Sequence, residues 1–382
     1  MTTIPYFDEK WQNRVLEREI ETALRPIAFG RPGDEVEAPD TLVEGLVADL
    51  LGGGEAVGVQ SASAGLFLAL TALGIGPGDE VITAPNSDIS TTAAISHARA
   101  RFVLADIEPD TFNLDAVSVE ARITPQTRAL VVVHLYGHPA DMAPLLALAR
   151  RHRLAVVEDA ALALGARYRG DPVGLLGDVG VFSFSPRKVV GALDGGGMVV
   201  TRDAALARRV RLLAGYGQDP DADRLMATGR GSPGPLRHLA EGYNLRLGAV
   251  DAAVVRLKLP HLAEWQASRV RVADRYRARF VGTPVVPPVV RDGCTHAFRN
   301  YVVRVAARDR VRAVLAEQGI ETRVYYVPPV HHQPVYQHLG LGPGSLPCAE
   351  RAAEELLCLP MYPGIPEEHT DLVADALLGI LG

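Results

Sequence analysis

Two rhythms of apolar and polar positions run along this chain, and they predict its elements. Short continuous apolar runs read as strands: AVGVQ (56–60), EVITAP (80–85), RFVLADI (101–107), RALVVVHLYG (128–137), LAVVEDA (154–160), VGVFSFS (179–185) and GGMVVTRD (196–203). The run at 128–137 has no polar alternation, which predicts a strand buried on both faces. Segments of helical period are interspersed: SASAGLFLALTALGI (61–75), ISTTAAISHA (89–98), APLLALARRHR (143–153) and ALARRVRLLAG (205–215). Such alternation predicts an α/β fold, a mostly parallel sheet with helices on both faces.

The pattern changes near residue 250. A long helical stretch at 251–280 is broken at Pro260, and a Pro-rich link follows at 283–290. NYVVRVAA (300–307) and TRVYYV (322–327) then read as strands, and RDRVRAVLAEQG (308–319), PCAERAAEELLC (347–358) and HTDLVADALLGIL (369–381) as helices. At the other end, residues 8–24 predict a short helix, and the Gly, Pro and acid of 26–39 predict a loop. The expected organisation is an N-terminal arm (1–25), a large α/β domain (26–250) and a smaller C-terminal α+β domain (251–382). No internal repeat is visible.

Composition then narrows the class. A chain of 382 residues, 48% hydrophobic and 22% charged, can bury a sizeable core. Net charge is −6 and the pI is near 6.0, which argues against a general affinity for nucleic acid or anionic membrane. No apolar run reaches the roughly 18 residues of a spanning helix, and the polar start MTTIPYFDEKWQ is unlike a signal peptide. Cys294, Cys348 and Cys358 form no CxxC pair; an odd, sparse set predicts free thiols and a cytoplasmic setting without a structural metal. Of the 39 basic residues only Lys10, Lys188 and Lys258 are lysines. A lysine kept against that bias is a place to look for amine chemistry.

Three local arrangements carry chemistry. Ser61-Ala62-Ser63-Ala64 follows a strand and opens a helix, leaving backbone N–H groups at a positive dipole end that can hold a phosphate. A plain serine N-cap has the same appearance. Asp159 ends the run LAVV, at the strand end where open α/β sheets bind ligands; Glu158 beside it reads as solvated. Lys188 lies in a loop after the strand VGVFS, ahead of the glycines Gly195, Gly196 and Gly197 that permit close backbone approach. A desolvated lysine attacks carbonyl carbon and forms Schiff bases. An amine, a strand-end carboxylate and a phosphate cradle are together what a protein supplies to pyridoxal 5′-phosphate.

The segment GDVGVFSFSPRKVVGALDGGGMVVT resembles the lysine segment of the DegT/DnrJ/EryC1/StrS aminotransferases, the PLP-dependent sugar aminotransferases of fold type I. The resemblance covers nearly the whole chain, through VQSASAGLFLALTALGIGPGDEVI, FVLADIEPDTFNLD, VVVHLYGHPADM, VVEDAALALGARYRG, GYNLRLGAVDAAVVRLKLPHL and GIETRVYYVPPVHHQPVYQHLG. It implies that Lys188 links to the cofactor and shuttles a proton, and that Asp159 pairs with the pyridine nitrogen. Ser63 and Ala64 are implied for the phosphate through backbone N–H groups, with Ser183 adding a hydroxyl. Asn244 matches the residue that reaches the neighbouring subunit's cofactor, which implies a homodimer with shared active sites. Tyr326 and His331 match the loop that faces the sugar. The implied reaction moves an amino group from an amino acid, L-glutamate by expectation, to a keto sugar, by expectation nucleotide-linked, in amino-sugar or antibiotic biosynthesis.

Three departures from the family pattern surround the cofactor position. Leu162 stands where a glutamine is frequent. Ile89 stands where an aromatic ring usually covers the pyridine, preceded by Asp88 in place of threonine; Asp88 is a candidate extra acid, base or amine contact. Gly195 stands at the acidic position of the glycine stretch, with Asp194 one place earlier. These departures keep open a PLP enzyme of another reaction type, such as elimination or carbon–carbon chemistry. A regulator that has lost catalysis is a further alternative, against which Lys188 and Asp159 both stand.

Overall fold

A computed structural model describes residues 3–30, 39–219 and 237–382. The strands in chain order are β1 (Glu55–Val59), β2 (Glu80–Thr83), β3 (Arg101–Leu104), β4 (Thr127–Val133), β5 (Ala155–Asp159), β6 (Arg167–Tyr168), β7 (Asp171–Pro172), β8 (Val179–Ser183), β9 (Gly197–Thr201), β10 (Cys294–Thr295), β11 (Tyr301–Arg304) and β12 (Leu356–Leu359). Seven of them form the main sheet in the order β1-β9-β8-β5-β4-β2-β3. Pairings from β3 through β8 are parallel, while β9 is antiparallel to both β8 and β1. Every residue of β5 beyond Ala155, and all of β8 and β9, is buried, which explains their unbroken apolar runs.

The mixed end of the sheet positions the site. Parallel neighbours need a crossover helix, but β9 returns directly from β8 through the loop 184–196, and that loop carries Lys188. Asp159 closes β5 opposite Val181 of β8. Helix Ala62–Ala72 lies so close on the sheet that a Cβ on Gly65 would sit 2.8 Å from Val181 Cγ1. Thus the amine loop, the Asp159 strand end and a helix N-terminus meet at one edge.

The remainder refines the expected elements. β11 and β12 form an antiparallel pair, and β10 joins β6 and β7. The expected strand TRVYYV pairs only through Arg323 with Cys358 and then leaves as irregular chain toward Pro328 and Pro329, which have no N–H to donate. The expected helix 347–358 stops at Glu355, because Leu356–Leu359 is drawn into β12, fully buried. The N-terminal helix Glu17–Phe29 runs through Pro26, beyond the predicted arm, and the rest of the predicted loop, 31–38, lies outside the described residues. Two of the buried clusters meet along the helices that follow residue 250. Ala252, Val255, Leu259 and Trp265 share a core with Val43, Phe182 and Phe184, whereas Val272 and Tyr276, further along helix Leu262–Phe280, join Tyr301, Leu315, Leu357 and Leu377. All three cysteines are free thiols. Among the described residues no helix is long and apolar enough to cross a membrane.

Candidate active site

Asp159 is buried at the end of β5 and held from two directions. Thr91 Oγ1 donates to Oδ2 at 2.8 Å, and the Ala161 N–H donates to Oδ1 at 3.2 Å. Burial raises its carboxyl above the usual range, with these two donors and the Lys188 charge opposing. The Lys188 amine faces the same cavity of about 330 Å³. Desolvation, and then the nearby Arg299 charge, lower this amine to about 8, against the pull of Asp159 and Asp88. About one such amine in ten is free base at pH 7, against roughly one in several thousand for an ordinary lysine. That is the state in which nitrogen is a nucleophile.

The loop that carries Lys188 is clasped from behind. Gln12 Nε2 donates to the Val189 carbonyl at 3.0 Å, and the Gly191 N–H donates to Gln12 Oε1 at 3.0 Å. Lys258 Nζ donates to the Gly191 carbonyl and to Asn13 Oδ1. Only glycine fits at 191, where a Cβ would lie 2.4 Å from the Pro186 carbonyl oxygen. Gln12 and Lys258 are both buried. Their roles had no signal in the sequence beyond the rarity of lysine, because the contacts to Gly191 join positions 179 and 67 residues apart along the chain.

The same cavity is lined by Ser61, Ala62, Ser63, Ser183, Asp194, Gly195, Gly196, Asp88, Leu162 and Tyr326. Ser61 caps the helix, its Oγ accepting the Ala64 N–H at 3.1 Å. This is a correction for Ala64: its N–H is already taken, so the groups free to face an anion begin with Ala62 and Ser63. A Cβ on Gly197 would lie 2.8 Å from the Ala62 nitrogen, so glycine lets the strand pass directly under that helix end.

Besides Ala64, three expected residues lie outside this lining: Ile89, His331 and Asn244. Asp88 caps helix Ile89–His97, its Oδ1 accepting the Ser90 N–H at 2.9 Å, and the turn directs Ile89 outward, 44% exposed. Ile89 therefore does not cover a ring position from within the cavity. His331 is buried and its Nε2 lies 3.2 Å from Glu350 Oε1, so it is packed against helix Pro347–Glu355 instead. Asn244 is exposed, in the segment that pairs with Gly215 and runs beside β1.

Glu158 is the plainest correction. It is fully buried and accepts N–H groups from Gly174, Leu176 and Gly177, each at 2.7 Å. His134, equally buried, meets it through Nε2 at 2.9 Å. The Ala140 N–H donates to His134 Nδ1 at 3.0 Å, so Nε2 carries the proton and donates. Glu158 thus fixes the loop 174–177 and the end of β4 around Asp159.

A lysine amine, a buried carboxylate and a helix N-terminus around one cavity fit pyridoxal phosphate: carbonyl carbon, pyridine nitrogen and phosphate each find a complement. The comparisons with known proteins agree. Residues 19–378 match the model of the DegT/DnrJ/EryC1/StrS aminotransferase family. The chain belongs to that family. It is 42% identical over 324 residues to the "pleiotropic regulatory protein" of Geobacillus stearothermophilus, covering 84% of this chain and 83% of that one. It is 37% identical to the UDP-N-acetyl-3-dehydro-alpha-D-glucosamine 3-aminotransferase of Acidithiobacillus ferrooxidans, over 98% of this chain and 97% of that one. The fold matches the X-ray structure of Streptomyces venezuelae DesV in complex with a ketimine intermediate with a TM-score of 0.91 and 37% identity, covering 100% of this chain and 99% of that one. This family member is a PLP-dependent aminotransferase of the α/β fold type expected from its sequence.

Proposed function

We propose that this protein transfers an amino group from an amino acid, L-glutamate first, to the keto carbon of a nucleotide-linked sugar in amino-sugar biosynthesis. The observation that carries the reading is the pairing of Lys188 and Asp159 across one cavity that ends at the N-terminus of helix Ala62–Ala72. The similarity to a UDP-sugar 3-aminotransferase supports a nucleotide-linked acceptor. Pyridoxal phosphate, when bound, supplies an electron sink for the carbon losing its proton.

The chain's own residues do the rest. Asp159, oriented by Thr91 and the Ala161 N–H, would hold the cofactor's pyridine N–H and favour its positive form. The N–H groups at Ala62 and Ser63 and the Ser183 hydroxyl would hold the phosphate. Lys188 would hold the cofactor at its carbonyl carbon, and its nitrogen, once freed, would be the group that takes up and returns a proton in the site. Leu162, buried and lining the cavity, excludes water without a hydrogen bond of its own. Tyr326 and Asp88 line the same space and are our candidates for contacts with the sugar.

The large unit is assigned to the cofactor and the smaller one to closing the site. Asn244, exposed and outside its own protomer's cavity, supports a homodimer in which it would reach the partner's phosphate, and the sparse, free cysteines support a cytoplasmic enzyme. A second reading, another PLP reaction, draws support from Leu162 and Asp88 in the lining.

The test is the visible spectrum of the protein with PLP, before and after L-glutamate. Replacement of the bound-cofactor band by that of the pyridoxamine form, with 2-oxoglutarate released, is the expected result. A preloaded pyridoxamine form should then aminate a keto sugar. No spectral change with any amino acid, or product without keto-acid release, sinks the proposal and favours the second reading.

A further inference from the structure

Next to the Lys188 cavity lies a second one of about 350 Å³ that shares Asp88, Leu162, Ser185, Lys188 and Tyr326 with it. Its wall contains Arg299, which is only 4% exposed. Nε and Nη1 of Arg299 are buried without a hydrogen-bond partner among the described residues, and its guanidinium lies over the Phe7 ring at 4.5 Å. Among the described residues Arg299 has no ion-pair partner. The two carboxylates that line this cavity are committed elsewhere: Glu9 pairs with Arg187, and Asp88 caps a helix.

A second guanidinium deepens the imbalance. Arg269 is fully buried, and its Nε, Nη1 and Nη2 all lack partners among the described residues. Burial and then the Arg299 charge make it easier to deprotonate than any ordinary arginine. Two buried, uncompensated cations are costly in any fold. They persist where an anion from outside completes the site, and a planar fork of N–H donors matches a carboxylate in two-point contact.

The anion must lie beside the reacting amine, because Arg299 and Lys188 line one cavity. In a nucleotide-linked sugar the diphosphate is separated from a ring keto carbon by the sugar itself. In an α-amino acid the carboxylate sits one bond from the carbon that bears the nitrogen. We propose that Arg299 is the subsite for the α-carboxylate of the amino donor, with Arg269 behind it reinforcing the positive potential. This inference rests on the aminotransferase reading and names its donor site.

The test uses the holoenzyme, Arg299→Gln and Arg299→Lys. In single-turnover reactions with L-glutamate, Arg299→Gln should raise the apparent Kd on the order of 30-fold or more, the loss expected for a buried charge-assisted contact, and Arg299→Lys should recover part of it. The wild-type preference for L-glutamate over 4-aminobutyrate, which lacks the α-carboxylate, should collapse in Arg299→Gln. Calorimetric titration with glutarate and with UDP gives a readout independent of turnover. Glutarate binding should be lost in Arg299→Gln while UDP binding stays. Loss of UDP binding with glutarate retained would assign Arg299 to the sugar's phosphates and overturn the proposal, as would an unchanged Kd for L-glutamate. If wild type transaminates nothing yet binds glutarate through Arg299, the reaction fails and the carboxylate subsite stands. Should Arg299→Gln fail to fold, the glutarate titration of Arg299→Lys decides: wild-type affinity there overturns the proposal.

Discussion

Replacing Glu158 by glutamine is expected to be among the most destabilising single-atom changes in this protein. The carboxylate is fully buried and accepts four hydrogen bonds: Leu176 and Gly177 N–H on Oε1, and Gly174 N–H and His134 Nε2 on Oε2. Glutamine keeps the shape but offers one oxygen, and its NH₂ must face one of these donor pairs. His134 cannot yield by switching tautomer, because the Ala140 N–H occupies Nδ1. Two buried donors are then orphaned, at about 1–3 kcal/mol each, so a loss near 3 kcal/mol is expected after local relaxation. At about 2.1 cal/mol/K of unfolding entropy per residue, that corresponds to a fall of about 4 °C in the unfolding midpoint of this chain. Thermal unfolding of the cofactor-free protein measures it. Glu158→Ala, which removes all four acceptors, should cost more. A midpoint for Glu158→Gln within 1 °C of wild type would refute the hydrogen-bond account, and with it the claim that Glu158 braces the Asp159 strand end.

Covalent capture of PLP by cofactor-free protein should accelerate about tenfold per pH unit and level off above about 8, because the lowered Lys188 amine is unprotonated there; stopped-flow spectra would refute this if the rise continued toward pH 10. Thr91→Val removes the donor to Asp159 Oδ2, so the carboxyl should titrate higher still and the acid limb of the glutamate half-reaction should move to higher pH, with a rate loss of roughly 3–10-fold. Lys258, lowered to about 8 by burial, holds fewer protons when folded than unfolded between about pH 8 and 10.5. Wild type should therefore gain stability over Lys258→Met across that window, by up to about 2 kcal/mol after allowing for partial solvent screening, in urea titrations at the two ends.

Much of this architecture is legible in local patterning along the chain. Unbroken apolar runs marked every strand of the main sheet, since burial on both faces is a property of the run itself. Lys188, Asp159, Ser63 and Ser183 were legible because strand ends and helix starts are local events, and the structure brings these four to one cavity. Ala64, Ile89 and His331 were misplaced for a related reason: a cap hydrogen bond, a first helical turn and a buried histidine–carboxylate contact decide where a side chain or N–H points, and a motif position does not. TRVYYV has β-forming residues, but a strand needs a continuous partner and Arg323 alone finds one.

Contacts between distant parts of the chain are settled by folding alone. Glu158 looked solvated because acidity argues for exposure, until three backbone N–H groups and a histidine converge on it. Gln12 and Lys258 reach the Lys188 loop from far along the chain. Arg299 was one arginine among 36 until its burial and its missing partners set it apart. Periodicity reports whether a position is buried; it carries no information about which polar group the fold will bring to meet it, and the chemistry of this site depends on those meetings.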